Sequence, residues 1–252
     1  MSAARSEVVE FLNAYLKIAD IEDRSNNGLQ IEGTEEVGMI GLAVDACLEA
    51  YKKAVDQKCR MLIVHHGLIW GGLTSITGAI YNQVKYAIQS DLNIYAAHLP
   101  LDAHDICGNN IVLAKMLGLV DIKPFGLYKN TLIGFEGTLP RPLSNEEIGK
   151  TIQSNIGGKF SVLPFGIAEN KRIAIVSGGW TDALDEAIDK EIDCFLTGEG
   201  KHENHHKALE SRINVVYCGH YETETVGVKA LGNILEKRFS VKTVFIDVPT
   251  LI

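Results

Sequence analysis

The stretch that most constrains this chain is Ile63-Val64-His65-His66-Gly67, an apolar run that ends in two adjacent histidines and a glycine. A short apolar run bounded in this way reads as a buried strand. Two neutral imidazoles at its exposed end are costly to leave without partners, and imidazole is the commonest protein ligand for first-row transition metals. The pair therefore reads as half of a metal site whose other half comes from elsewhere in the chain.

The surrounding pattern is strand, helix, strand. Residues 39–44 form an apolar run, residues 46–57 carry Leu48, Tyr51, Ala54 and Val55 at helical spacing, and residues 61–64 deliver the histidines. A glycine-punctuated loop bearing Trp70 leads to a helix over 79–89. A third strand over 92–97 also ends in a histidine, in His98-Leu99-Pro100-Leu101-Asp102, where Pro100 stops the ladder and leaves His98 and Asp102 in a turn. Asn109 or Asn110 is the expected cap of a short helix ending at Leu117. Earlier in the chain, Asn26-Asn27-Gly28-Leu29-Gln30 reads as a turn and a short extended segment.

The second half repeats the theme. Strands are expected over 131–138, 172–176 and 213–218, with helices from the Ser144/Glu147 capping box to about Gln153 and over 181–190, the last leading to Cys194-Phe195-Leu196-Thr197-Gly198-Glu199. A polar helix containing His202, His205 and His206, a last helix over 225–238 and a closing strand over 241–246 complete the pattern. Val44 to Ile63 matches Val176 to Leu196 in spacing, and His98 and His220 each follow a third strand with an acid four residues later, Asp102 and Glu224. Two such pairs at equivalent places in a repeated unit are far more specific than one. The expected fold is α/β: two interlinked lobes related by an internal pseudo-repeat, residues 1–124 with 225–252 packing back, and residues 125–224, with a metal site in the cleft between them.

Bulk properties exclude several classes. The net charge of -8 is spread without a basic stripe, which argues against nucleic acid as a partner. Five cysteines without a C-x-x-C spacing argue against a disulfide framework and a thiolate zinc site; Cys218 alone, two residues before His220, sits where a strand would turn it toward a ligand. Val8, Phe11, Leu12, Tyr15 and Leu16 mark an amphipathic first helix rather than a signal peptide, and no apolar run is long enough for a membrane span, so a cytoplasmic protein is expected. There is neither a nucleophile elbow nor a phosphate-loop lysine, and Ser177-Gly178-Gly179 is read as a tight turn rather than a phosphate cradle.

In parallel α/β sheets ligands gather beyond the carboxyl ends of strands. His65, His66, His98, Asp102, Glu199, His220 and Glu224 all belong to such ends. Adjacent strand residues point to opposite faces, so His65 and His66 reach one ion only if the chain bends at Gly67; otherwise they serve two neighbouring ions, with a carboxylate such as Glu224 bridging them. His98 is read as a supporting hydrogen-bonded histidine, and Asp102 and Glu224 could alternatively cap helices. His202 and His206 have i, i+4 spacing, but the charged residues around them favour a solvated face, with His206 the candidate acid/base or substrate contact.

Asn27-Gly28-Leu29-Gln30-Ile31-Glu32-Gly33, His65-His66-Gly67, His98-Leu99-Pro100-Leu101-Asp102 with Gly108-Asn109-Asn110, Thr197-Gly198-Glu199, Gly219-His220 with Glu224, and Phe245-Ile246-Asp247 together resemble the YbgI-like dinuclear metal-centre proteins, the GTP cyclohydrolase I type 2 homologues. The resemblance spans essentially the whole chain, in a short form without an inserted domain. It implies two divalent transition-metal ions (Zn, Fe, Mn, Co or Ni) held by His65, His66, Asp102, His220 and a bridging Glu224. Glu199, His206 and His98 match other recurrent polar positions. It further implies a toroidal homohexamer and a small-molecule substrate, a nucleotide being favoured. The implied reaction is hydrolytic ring opening of GTP with release of formate; the alternative is a metal-trafficking or cofactor-assembly protein without turnover.

Overall fold

The computed structural model describes residues 2–72 and 75–250. In chain order the elements are β1 (Ala3–Ala4), α1 (Arg5–Tyr15), β2 (Gly28–Ile31), β3 (Glu36–Val37), β4 (Met39–Asp45), α2 (Leu48–Asp56), β5 (Met61–His66), α3 (Gly78–Gln89), β6 (Asn93–Ala96) and α4 (Leu99–Asp102). They continue with α5 (Asn109–Met116), β7 (Val120–Tyr128), β8 (Thr131–Leu143), α6 (Asn145–Ile156), β9 (Ser161–Pro164), β10 (Asn170–Val176), α7 (Ala183–Asp189), β11 (Cys194–Thr197) and α8 (Asn204–Ser211). The last are β12 (Asn214–Tyr217), α9 (His220–Phe239) and β13 (Lys242–Phe245). Among the described residues no helix is long and apolar enough to cross a membrane.

The chain divides into two units, Met1–Leu101 with Val228–Pro249, and Asp102–Gly227 with Thr250–Ile252. The expected boundary after residue 124 falls inside β7, a strand of the second unit. The first unit holds a five-stranded sheet in the order β13-β4-β5-β6-β2, parallel throughout except for the antiparallel edge strand β2. Its core gathers Tyr51, Ala54, Leu62, Val64, Ile94 and Ile246. Helix α2 buries Tyr51 and Ala54 of the expected face together with Ala50, leaves Leu48 and Val55 half-buried, and is capped at its N-terminus by Cys47 Sγ accepting from Ala50 N.

The second unit holds a six-stranded sheet in the order β7-β8-β10-β11-β12-β9. Strands β10, β11 and β12 run parallel, flanked by antiparallel β8 and β9. Leu113, Leu139, Ile148, Ile173, Ile175 and Val216 pack its core. The expected capping box is present: Ser144 Oγ accepts from Glu147 N at 3.2 Å while Ser144 N donates to Glu147 Oε2 at 2.9 Å. Strands β7 and β9 have no counterpart in the sequence expectation. Mostly exposed, with Pro and Gly interruptions, β7 lacks the alternation that marks a half-buried strand.

The internal repeat is visible in both topologies. Each unit has an antiparallel edge strand (β2, β9) that precedes in sequence three parallel strands (β4-β5-β6, β10-β11-β12) and pairs with the last of them. The parallel triplets place the C-terminal ends of β5, β6, β11 and β12 where the sequence put its candidate ligands.

Candidate metal centre

In the first unit β5 is buried from Met61 to His65. It presents His65, fully buried, and His66, the last residue of the strand. Simple alternation would turn these rings apart, yet their centroids lie 4.7 Å apart, and those of His98 lie 5.0 Å from His65 and 5.5 Å from His66. Each of the three histidines offers a ring nitrogen within 4.8 Å of the others. The chain leaves the ladder directly after His66, and Gly67 is pressed so closely against the Gln30 side chain and Ala96 Cβ that no side chain fits there. His98, expected only as a supporting residue, thus shares the cluster with the adjacent pair.

What lies behind each ring decides which nitrogen faces outward. His65 Nδ1 is 3.0 Å from the Ala97 carbonyl oxygen, His66 Nδ1 is 2.8 Å from Asp45 Oδ1, and His98 Nδ1 is 3.0 Å from both Asp23 oxygens. An acceptor at Nδ1 fixes the tautomer that carries its proton there and reserves Nε2 as a donor to an ion. Burial alone would raise the Asp23 carboxyl. The hydrogen bond and charge of His98, with donation from Asn27 Nδ2 and Ser25 N, instead hold it well below the usual carboxylate range.

The segment from Asn26 to Gln30, read above as a turn and a short extended segment, scaffolds this cluster. Asn27 Oδ1 accepts from His98 N at 2.7 Å. Gln30 Oε1 accepts from Leu68 N and Ile69 N, tying down the loop that follows the histidines. Trp70 in that loop donates from Nε1 to the Gly67 carbonyl and sets its ring edge-on to His98, centroids 4.9 Å apart.

In the second unit the donors are mainly carboxylates. Asp102, buried at the end of α4, accepts at Oδ1 from Asn109 Nδ2 at 2.8 Å and from Ser177 Oγ at 3.0 Å. Asn109 and Asn110 do not cap α5; Gly108 is its cap residue, and both asparagines are buried inside the first turn. Asn109 Oδ1 accepts from Gly227 N, while Asn110 accepts from Ser177 N and donates to the Ile133 carbonyl. The amides of Ser177 and Gly178 are thereby engaged, the second by Thr223 Oγ1, so this turn offers no phosphate cradle.

Helix α9 starts at His220, five residues earlier than the expected 225, so His220 and Glu224 share one helical face at i, i+4. His220 Nδ1 is 3.0 Å from Glu199 Oε1 and its Nε2 is 3.3 Å from Glu224 Oε1. Gly178, at φ +64°, lies where any Cβ would overlap the Glu224 carboxylate. A residue with neither side chain nor aversion to positive φ is needed for that close approach.

Cys218 is not part of this set: it packs in the core of the second unit, where burial pushes its thiol up to about 12. His202 lies in the turn before α8, so it forms no i, i+4 helical pair with His206. His202, His205, His206 and Glu199 instead line a cleft of about 830 Å³ in the second unit. Asp23 and Asp45 were the functional residues that sequence reasoning missed, since neither carries a motif and each is matched to its histidine only by the fold.

The chemistry suits divalent metal: four histidines each have an oxygen acceptor behind Nδ1, and the Asp102 carboxylate is oriented by Asn109 and Ser177. The Duf34/NIF3 (NGG1p interacting factor 3) family matches residues 3–251. The chain belongs to the Duf34/NIF3 family. A GTP cyclohydrolase 1 type 2 homolog of Archaeoglobus fulgidus is 43% identical over 97% of this chain and 98% of its own length. The crystal structure of TTHA1606 from Thermus thermophilus superposes with a TM-score of 0.92 at 41% identity, covering 99% of this chain and 100% of that one. Protein ybgI superposes with a TM-score of 0.91 at 32% identity, over 99% of this chain and 100% of its own. The YbgI-like resemblance drawn from the motifs and the two-lobed α/β class thus hold for this Duf34/NIF3 member.

Proposed function

We propose that this chain binds two divalent transition-metal ions and hydrolyses a nucleotide, opening the imidazole ring of GTP or of a close relative. The observation that carries the reading is the local pattern repeated at four histidines, each with an oxygen acceptor 2.8–3.0 Å behind Nδ1. His65, His66, Asp102, His220 and Glu224 would hold the ions. Divalent ions bound there supply Lewis acidity and lower the pKa of water. This chain's own residues do the rest: Asp45 and Glu199 set the tautomers of His66 and His220, Asn109 and Ser177 orient Asp102, and His98, Glu199 and His206 offer polar contacts to substrate.

Imidazole and carboxylate donors suit Zn, Fe, Mn, Co and Ni alike. The names of the curated relatives support a cyclohydrolase-type reaction. In this reading the protein works in the cytoplasm as a toroidal homohexamer, which light scattering checks as six chain masses.

The test is anaerobic purification, elemental analysis and a turnover screen with GTP and related nucleotides on the metal-loaded protein. Glu224→Ala is expected to lose both ions and all turnover. A metal-free variant that still opens the ring ends this reading. The second reading, metal delivery without turnover, is favoured by the exposed His202, His205 and His206 beside Glu199. It requires exchange to an acceptor chelator within minutes; ions retained for days argue against it.

A further inference from the structure

A cleft in the second unit is left unused by the metal-ligand set. It is about 830 Å³, within the usual range for a small-molecule site, and it opens at the C-terminal ends of β11 and β12. Glu199 is on its wall and is also the residue that holds His220 Nδ1. The cleft therefore adjoins the candidate metal centre through one side chain.

Its lining combines two kinds of group. Phe160 and Tyr217 supply aromatic faces, and both rings are held against backbone at glycines: a Cβ on Gly149 would overlap the Phe160 ring, and one on Gly200 would meet the Tyr217 ring at 2.5 Å. Rings packed this closely against a glycine are positioned before any ligand arrives. Cationic and imidazole groups are the second kind, beside the Glu199 carboxylate. Lys201 is paired with Asp182 at 2.9 Å, whereas Lys159 makes no ion pair with any described residue. His205 is seated edge-on to Phe165, centroids 5.1 Å apart, with His206 beside it.

An apolar ligand would leave Lys159 and three imidazoles unused, and a simple inorganic anion would leave the aromatic pair unused. We propose that this cleft binds a nucleoside phosphate, its base against Phe160 and Tyr217 and its phosphates toward Lys159 and the His205/His206 edge. The assignment deepens the hydrolase reading above and rests on it for the choice of nucleotide. Stacking on an aromatic ring is tolerant of base identity, whereas a lysine reads phosphate as a point charge.

Calorimetric titration of the metal-loaded protein with GTP, guanosine and inorganic triphosphate separates these contributions. Lys159→Ala is expected to weaken GTP and triphosphate by roughly tenfold and leave guanosine unchanged. Tyr217→Ala is expected to weaken GTP and guanosine by about tenfold and leave triphosphate unchanged. Phe160→Ala, in the segment just before β9, repeats that base-selective loss should Tyr217→Ala disturb β12. Wild-type protein that binds no GTP, or variants that bind all three probes as wild type does, overturns the assignment. The two readings fail separately. Variant-sensitive binding without any turnover removes the hydrolase and keeps the cleft, whereas turnover with unaltered KM in Lys159→Ala and Tyr217→Ala removes the cleft and keeps the hydrolase.

Discussion

The two sheets are near-copies at the N-terminal ends of their parallel strands and differ at the C-terminal ends. Asn93 opens β6 and Asn214 opens β12; both are buried. Asn93 Oδ1 accepts from Gly33 N and its Nδ2 donates to the Thr34 carbonyl, and Asn214 does the same with Gly166 N and the Ile167 carbonyl. The helix-to-strand turns match as well: Lys58 and Glu191 take positive φ three residues before β5 and β11, and Asp91 and Arg212 do so two residues before β6 and β12. At the other end the first unit offers three imidazoles, and the second offers one, His220, flanked by Glu199 and Glu224, together with the Asp102 carboxylate. Hydrogen bonds that close a turn were kept in both copies, and the donor chemistry diverged where ligands gather.

The likeness of the two copies is tested most severely at the asparagines. Asn93→Ala and Asn214→Ala each leave a backbone N–H and carbonyl without their partner, and each is expected to lower unfolding free energy by about 2–4 kcal/mol. Urea denaturation should give similar losses for both, with metal content unchanged in the folded protein. A large loss in one and none in the other would show that the two ends had not been kept for the same reason.

The opposite result is expected at the C-terminal ends. Asp45→Asn and Glu199→Gln remove the carboxylate behind His66 and His220, and each should weaken metal affinity by about 10–100-fold in competition with a chelator. Stability of the apo protein should hardly move, because His66 and Glu199 are both partly exposed. If Asp45→Asn costs affinity and Glu199→Gln does not, the first unit alone orients its ligands.

The smallest effect distinguishes the support behind His98. Asp23 has a folded-state pKa below the unfolded value near 3.9, so its contribution is complete above about pH 4 and is lost as pH falls through the folded value. Asp23→Asn is expected to cost about 1–2 kcal/mol at neutral pH, and the difference from wild type should shrink on acidification. Parallel acid-unfolding curves for the two proteins, offset equally at every pH, would contradict it.

Much of this was legible in the chain. Apolar runs ending in His65-His66 and His98, the Ser144/Glu147 box and the spacing of Val44–Ile63 against Val176–Leu196 located most of the parallel strands and the repeat, because these depend on local periodicity. The exposed strands β7 and β9 were not legible, since nothing in an exposed, Pro- and Gly-interrupted segment distinguishes an edge strand from a loop. Nor was the start of α9, where Gly219 at positive φ redirects the chain so that His220 enters the first helical turn.

The histidine pair that constrained everything else was read from the sequence as half of a metal site, and its position at a buried strand end followed from the apolar run before it. By itself the sequence determined which residue types stand at the strand ends and that they recur in two copies. Only the tertiary structure decided that His65, His66 and His98 converge, that Asp23, Asp45 and Glu199 stand behind imidazoles, and that Asn109 and Ser177 turn Asp102. Those pairings join residues that no local pattern links, and a hydrogen bond at 2.8 Å leaves no trace in periodicity.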